Sequence, residues 1–350
     1  MRDMPNLDFV RSIAVVTVVV EHTLLAQGIM NIGPFETQYF GVLGVLVFFV
    51  LTALVLMWSL ERKPHTLDFY IRRWFRIYPL ALAVMGIALV LHAPTSGSPD
   101  SFFEVAQTGW RDLLTQAGLL QAPQVWVVSV MWSLPYEVEM YVLLPILFFF
   151  VRRNFSLWPL LAAWALVLLN ARGVDSDGHN FAVAMGYFLP GIMAYVAYGR
   201  WKARLPGWLL PVFPAGAWAG FWYDFDFHKG WWFCLLVGLG LPMFQQMKSA
   251  VVLAPSRVIA RYSYGIYLTH PFAIVIGFYL LAGHTLAVRL GAEAVALVVF
   301  PVAAYHLLER PLIRVGSRLA ARAENAYEQR QLKHFRETAE AEIAEVVVST

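Results

Sequence analysis

Four stretches of this 350-residue chain put ionisable side chains inside otherwise apolar runs. In LDFVRSIAVVTVVVEH, Leu7 to His22, Arg11 and His22 stand eleven residues apart. That spacing is about 16 Å along a helix and leaves the two within about 20° of one face. Histidine takes and returns a proton near neutral pH, which suits a general base, although a lone buried His is as readily a packing residue. In MWSLPYEVEMYVLLPIL, Glu137 precedes Arg152 by fifteen residues, roughly 22 Å, a depth close to that of His22. Carboxylate and imidazole would meet if their helices adjoin, and Glu137 would then orient His22; a polar clasp between helices is the plainer reading. Glu139 points elsewhere, since residues two apart do not share a helix face. Glu21 diverges from its neighbour His22 by about 100° and ranks behind Glu137.

The third stretch, FYIRRWFRIYPL, places Arg73 and Arg76 three residues apart on one helix face. Guanidinium groups so placed suit phosphate oxygens, but a stop-transfer charge cluster also explains them, and composition alone favours it. The fourth, YSYGIYLTHPF, puts His270 mid-span with Pro271 loosening the helix. Taken alone, His270 is ambiguous. No His, Cys or Asp spacing supports a metal site, and neither a phosphate-cradling glycine loop nor a serine elbow is present.

The elements that must position these groups follow from composition. The chain is 59% hydrophobic and 14% charged, with mean hydropathy +0.60; soluble domains carry about a quarter charged residues. Apolar blocks at 9–28, 41–60, 74–92, 126–150, 157–171, 181–198, 207–223, 230–247, 260–282 and 287–307 predict an all-α, polytopic membrane protein of about ten transmembrane helices. With the N-terminus cytoplasmic, only Arg111, Arg172, Lys229 and Arg289 of the 26 Lys and Arg fall on the outer side. That asymmetry puts both termini in the cytoplasm of a multi-pass inner (plasma) membrane protein. The first block carries Glu21 and His22 and no small-residue cleavage site, so it reads as a retained helix. The single Cys234 excludes an internal disulfide and a cysteine-rich metal centre.

One long outer connection, 93–125, opens APTSGSPD, and its FFEVAQTGWRDLLTQAGLL predicts an interfacial helix. A second, WYDFDFHKGWW at 222–232, reads as an aromatic belt with solvated acids, or as an aromatic wall facing carbohydrate. The chain divides into a transmembrane domain, 1–310, and a basic, amphipathic cytoplasmic tail, 311–350. Arg310, Arg314, Arg318 and Arg322 share one helical face that would lie against anionic headgroups.

Together these segments resemble the acyltransferase-3 family of integral membrane acyltransferases, which O-acetylate O-antigen, other glycans and some small molecules. LDFVRSIAVVTVVVEH is similar to the family's first-helix signature, with ten residues between Arg11 and His22. GVLGVLVFFVLTALVL resembles its glycine-rich second helix, and RRWFRIYP its Arg-x-x-Arg followed by Pro79. WSLPYEVEMYVLLP matches its pattern at Trp132, Ser133, Leu134, Glu137, Tyr141 and Pro145. YSYGIYLTHP and YHLLERPL resemble its closing helices, so the likeness runs from about residue 5 to 315. Two places depart from it: Thr52-Ala53 stands where Ser-Gly is usual, and Glu21 where an apolar or aromatic residue is commoner.

The resemblance implies transfer of an acyl group, acetyl being commonest, from cytoplasmic acyl-CoA (acetyl-CoA) to a hydroxyl near the outer face. His22 would be catalytic, and Arg11, Arg73 and Arg76 would serve activity or bind acyl-CoA; Glu137, from its depth, is the expected catalytic partner of His22. Asp8, Glu21, Trp132, Ser133, Tyr141 and His270 are further site candidates. No permanently bound cofactor is expected. The expected partners are acyl-CoA, a glycan or lipid-linked sugar and the bilayer, with no nucleic acid and with a homo-oligomer left open. The rival from another class is a proton-coupled transporter or flippase, which needs the same intramembrane His and Glu. Against it stands the lack of a convincing internal repeat or paired broken helices.

Overall fold

A computed structural model describes residues 4–91, 102–105, 108–120, 126–171, 181–222 and 227–349. The chain is helical along nearly all of them. In order come α1 (Pro5–Ala26), α2 (Thr37–Arg62), α3 (Thr66–Val90), α4 (Trp110–Ala117), α5 (Leu134–Arg153) and α6 (Trp158–Ala171). They continue with α7 (Phe181–Arg200), α8 (Val212–Trp222), α9 (Phe227–Gly240), α10 (Ala250–Ile274), α11 (Leu286–Ala304) and α12 (Arg310–Ser349). Each of the ten apolar blocks overlaps a helix among the described residues. Among the described residues six helical stretches are long and apolar enough to cross a bilayer, and α6 is a shorter apolar helix. The protein is an all-α membrane protein, since in lipid a helix satisfies its backbone polar groups internally.

A two-residue hairpin, β1 (Asn31–Ile32) with β2 (Phe35–Glu36), joins α1 to α2. Gly33 turns it at φ +62°, a conformation that costs a glycine little. α2 is the most enclosed span, 72% buried, and packs against α1, α5, α7 and α9. α1 in turn lies between α2 and α10. At its start Asn6, fully buried, donates from Nδ2 to the Gln245 carbonyl (3.0 Å) and accepts from the Met247 amide (2.8 Å). That tie fixes the entry of α1 against the segment leading into α10.

Close approach of α1 and α2 depends on glycine. A Cβ at Gly44 would sit 2.5 Å from both the Ala14 carbonyl oxygen and Thr17 Oγ1, and one at Gly41 would sit 2.5 Å from Glu21 Oε2. Small residues at helix crossings are how membrane helices bring backbones together. Gly41 therefore makes room for the Glu21 carboxylate beside His22.

Several expectations meet different local structure. α3 begins at Thr66, eight residues ahead of the apolar block, so Arg73 and Arg76 lie well inside the helix, on one face as expected. Asp68 in its first turn accepts from Arg72 Nε at 2.7 Å and from Lys63 Nζ at 3.0 Å. Within the expected interfacial helix, Trp110–Ala117 forms an α-helix, while Phe103 bridges to Val128. Residues 92–101, 106–107, 121–125 and 172–180 fall outside the described residues, and APTSGSPD and Arg172 with them. So does the acidic centre of the 222–232 stretch, residues 223–226. Beside it, Trp222 donates to the Glu36 carbonyl at 2.6 Å, and His228 to Trp232 lie within α9.

The tail also differs from a helix free to lie on headgroups. Helix continues from α11 through a π-helical turn, Tyr305–Glu309, into α12, so residues 310 and 311 lie within one continuous helical run. α12 packs antiparallel on α3: Ser317 accepts from Arg72 (3.0 Å), Glu324 pairs with Lys63, and Gly316 abuts Phe75. Glu324 holds the Lys63 ammonium above the ordinary lysine pKa, with Asp68 adding to it against a small desolvation cost. Arg310, Arg314, Arg318 and Arg322 stay exposed along the outer face.

The Gly44 contact generates a stability test. Gly44→Leu should lower the thermal unfolding midpoint of the detergent-purified protein, since overpacking costs about 1–3 kcal/mol. Gly86→Leu, at a position with nothing within 4 Å, should leave the midpoint near wild type.

Candidate active site

Two polar clusters lie inside the bundle, one at each end of the run from Arg11 to His22. The first lines a cavity of roughly 150 Å³ between α1, α2, α3, α5 and α10, with Arg11, Arg73, Arg76, Glu137, Ser133 and Tyr141 in its wall. Glu137 is held on both oxygens: Thr52 Oγ1 donates to one at 3.1 Å and Tyr141 Oη to the other at 3.1 Å. Arg11 and Arg73 are near enough to interact electrostatically with that carboxylate. Asp8, one turn before Arg11, does the same for Arg11. Arg76 donates to Glu309 Oε2 at 2.8 Å and stacks its guanidinium over the Tyr264 ring at 5.5 Å. Arg73 Nε is buried with no hydrogen-bond partner among the described residues, as is Glu309 Oε1. Arg76 is answered by Glu309 and Arg11 by Asp8 and Glu137, which leaves the buried Arg73 Nε–H as a donor that an anionic ligand could use.

The second cluster surrounds His22. Its Nδ1 lies 3.0 Å from the Val18 carbonyl oxygen, 3.0 Å from Glu21 Oε2 and 3.1 Å from His270 Nε2. The Phe102 ring meets the imidazole edge-on at 5.1 Å. A carbonyl and a carboxylate can only accept, so Nδ1 carries the proton and the neutral ring presents a basic Nε2. Next along α1, Thr23 donates to buried Glu293 of α11 at 2.5 Å. Gly277, in a π-helical turn at Val275–Leu280, lets α11 approach there.

Between the clusters stands Tyr267. Its hydroxyl donates to the Val130 carbonyl at 2.7 Å and so accepts from Ser133 Oγ at 2.9 Å. Tyr264, Tyr267 and His270 follow one another at three-residue spacing on α10, from the arginine cavity to His22. Together they form one polar stripe through an apolar core.

The structure thus brings Arg11, Arg73, Arg76, Glu137, Ser133 and Tyr141 together, and separately gathers His22, Glu21 and His270. It does not give Glu137 to His22 as a hydrogen-bond partner: Glu137 bonds Thr52 and Tyr141 instead. Similar depth proves too coarse a guide, because α5 presents Glu137 toward α1 at the Arg11 level. Glu21 takes the carboxylate position beside His22 although the two are neighbours in sequence. A Glu side chain is long enough to fold back across the 100° that separates their Cβ directions. Trp132 packs edge-on to Phe49, which lines the arginine cavity, and is not itself in the cavity wall. The sequence marked Thr52 only as a departure from the family pattern and did not single out Tyr264, Tyr267, Glu293 or Glu309. The three-residue repeat in YSYGIYLTH was the available signal for the tyrosines; the carboxylates had none beyond being charged in apolar runs.

The chain matches the acyltransferase-3 family, described as "Acyltransferase domain", over residues 4–306. It belongs to that family and is a membrane acyltransferase, transferring groups other than aminoacyl groups. It is 28% identical over 298 residues to the exopolysaccharide production protein ExoZ of Rhizobium meliloti (strain 1021), spanning 79% of this chain and 90% of that protein. No solved structure matches it. Family membership decides for transfer over the transporter reading.

The Arg76–Glu309 pair yields a coupling test. Arg76→Ala leaves a carboxylate that is 1% exposed without its cation and should destabilise strongly. Adding Glu309→Gln should recover much of the loss in thermal midpoint, whereas independent residues would show additive losses.

Proposed function

We propose that the protein carries an acyl group, acetyl first among candidates, from cytoplasmic acyl-CoA to a hydroxyl of an exopolysaccharide or its lipid-linked precursor at the outer face. In this reading ten helices cross the inner membrane with both termini inside. The observation that carries it is the pairing of an arginine cavity with a histidine three helical turns farther along α1, joined by the polar stripe on α10. The separation, about 16 Å, is of the order of an extended pantetheine arm. A diphosphate at Arg73 and Arg76 would therefore bring the thioester toward His22.

The donor's phosphates meet Arg11, Arg73 and Arg76, while the apolar and tyrosine walls admit the arm. Glu137, tied to Thr52 and Tyr141, spaces the guanidinium groups so that they do not collapse on one another. At the far end His22 Nε2 takes the proton of the acceptor hydroxyl as its oxygen attacks the thioester carbonyl. The tetrahedral intermediate collapses with cleavage of the C–S bond, and the CoA thiolate leaves with the proton returned by the imidazolium. Glu21, 3.0 Å from Nδ1, stabilises that imidazolium while it exists. ExoZ's name places that relative in exopolysaccharide production, which supports a polysaccharide acceptor here.

Two measurements test this. Cells carrying His22→Ala should show normal membrane abundance but lose polysaccharide acyl esters, with transfer in membranes down about 10²–10⁴-fold. Unchanged esterification removes His22 from the chemistry. Arg73→Ala should raise the KM for acetyl-CoA about 10- to 100-fold, as expected for a lost charge-assisted bond, with the acceptor KM unchanged. An acceptor-only effect would move the donor site elsewhere.

A further inference from the structure

Helix α10 contains the dipeptide His270-Pro271, and the proline creates a specific vacancy in the hydrogen-bond ladder. Proline has no N–H, so the carbonyl four residues back, Tyr267, lacks its helical donor. In a fully buried position that carbonyl must find another. His270 Nδ1 supplies it at 2.8 Å, and His270 is 0% exposed. A carbonyl oxygen only accepts, so His270 carries its proton on Nδ1 and turns a bare Nε2 outward. That Nε2 lies 3.1 Å from His22 Nδ1, with the ring centroids 5.0 Å apart.

We infer that His270 is a positioning residue for the acyl transfer: the Tyr267 carbonyl that Pro271 orphans locks its ring, and its Nε2 accepts the His22 Nδ1 proton, holding His22 with Nε2 free as the base. The inference rests on the assignment of His22 as base made above. It adds to the role of Glu21. The carboxylate stabilises the charged ring, while His270, a rigid neutral acceptor on a second helix, fixes where the ring stands relative to the passage. Val18 and Glu21 reach His22 only from its own helix α1; His270 is the bond that ties its orientation to α10 and so to Tyr267, Ser133 and the donor cavity. Tying the base to the element that also lines the thioester's route makes their relative position a property of one helix pairing. A misplacement of about 1 Å at such a group can cost about 100-fold in rate.

The chemistry of amide side chains separates this role from a structural one. Asparagine at 270 can place an N–H near the Nδ1 position and satisfy the Tyr267 carbonyl, but cannot reach His22. Glutamine is longer and can present its carbonyl oxygen to His22 Nδ1. The assay uses membranes or detergent-purified protein with acetyl-CoA as donor and polysaccharide from cells lacking the gene as acceptor, following CoA release and ester formation. His270→Asn should accumulate and unfold like wild type, keep its KM for acetyl-CoA, and lose kcat about 100-fold. His270→Gln should recover a large part of that kcat. Pro271→Ala returns a helical N–H to the Tyr267 carbonyl and so competes with the His270 bond; it should lower kcat while stability holds or rises. It also carries the test should His270→Asn not accumulate.

A kcat for His270→Asn, or for a well-folded Pro271→Ala, within about twofold of wild type overturns the inference, as does a loss in Asn and Gln alike that tracks lost stability. His22→Ala distinguishes the two levels. If His22→Ala is inactive while His270→Asn is fully active, the positioning role fails and the base assignment stands. If His22→Ala is active, the base assignment itself has failed.

Discussion

A charge or an unpaired polar group inside a bilayer costs several kcal/mol unless another group answers it. That cost organises the interior of this protein. Glu137 is answered by Thr52, Tyr141 and two arginines, Arg76 by Glu309, and the His22 N–H by Glu21 and His270. Each answer comes at least partly from a different helix, so the polar groups also fix the helices' register. Glycines at 41 and 44 let α1 and α2 close to the distance at which these bonds can form. Remove the requirement for partners, and nothing would select this packing over other apolar arrangements of the same helices.

The same constraint separates two chemistries. The arginines line the cavity near Arg11, and the proton-accepting nitrogen stands three helical turns away, on a partly buried ring that meets Phe102 edge-on. Tyr264 and Tyr267 connect the two without adding charge. An acyl group could pass along such a route while its carrier's phosphates stay at the arginines. The α3–α12 pairing lies beyond the arginine cavity, where Asp68, Lys63, Arg72 and Glu324 neutralise one another and leave Arg73 and Arg76 to face inward.

Much of this was legible in the residues. The apolar blocks marked an all-α membrane protein, and the ionisable groups inside them marked both clusters. Arg73 and Arg76 share a face as their spacing suggested, and Arg11 joins them in one cavity wall as the family resemblance implied. Partner choice was not legible. Depth along a helix is readable to about a turn, but which helices adjoin is decided by packing, so Glu137 was assigned to His22 when it belongs with the arginines. Glu21 was discounted by Cβ direction, which ignores the reach of a long side chain. His270 was ambiguous because its meaning depends on α10 lying against α1, although the following proline already implied a carbonyl in need of a donor. The tail's basic face was visible, yet its packing on α3 uses Gly316, Ser317 and an acid, Glu324, none of which belongs to that face.

The most direct measurement is a cryo-EM map of the protein with a non-hydrolysable thioether analogue of acetyl-CoA. The expected map has the diphosphate within hydrogen-bond distance of Arg73 and Arg76, the arm running past Tyr264 and Tyr267, and the acyl end beside His22 Nε2. A map with the acyl end left among the arginines, more than about 10 Å from His22 and so far beyond the reach of proton transfer, would contradict it.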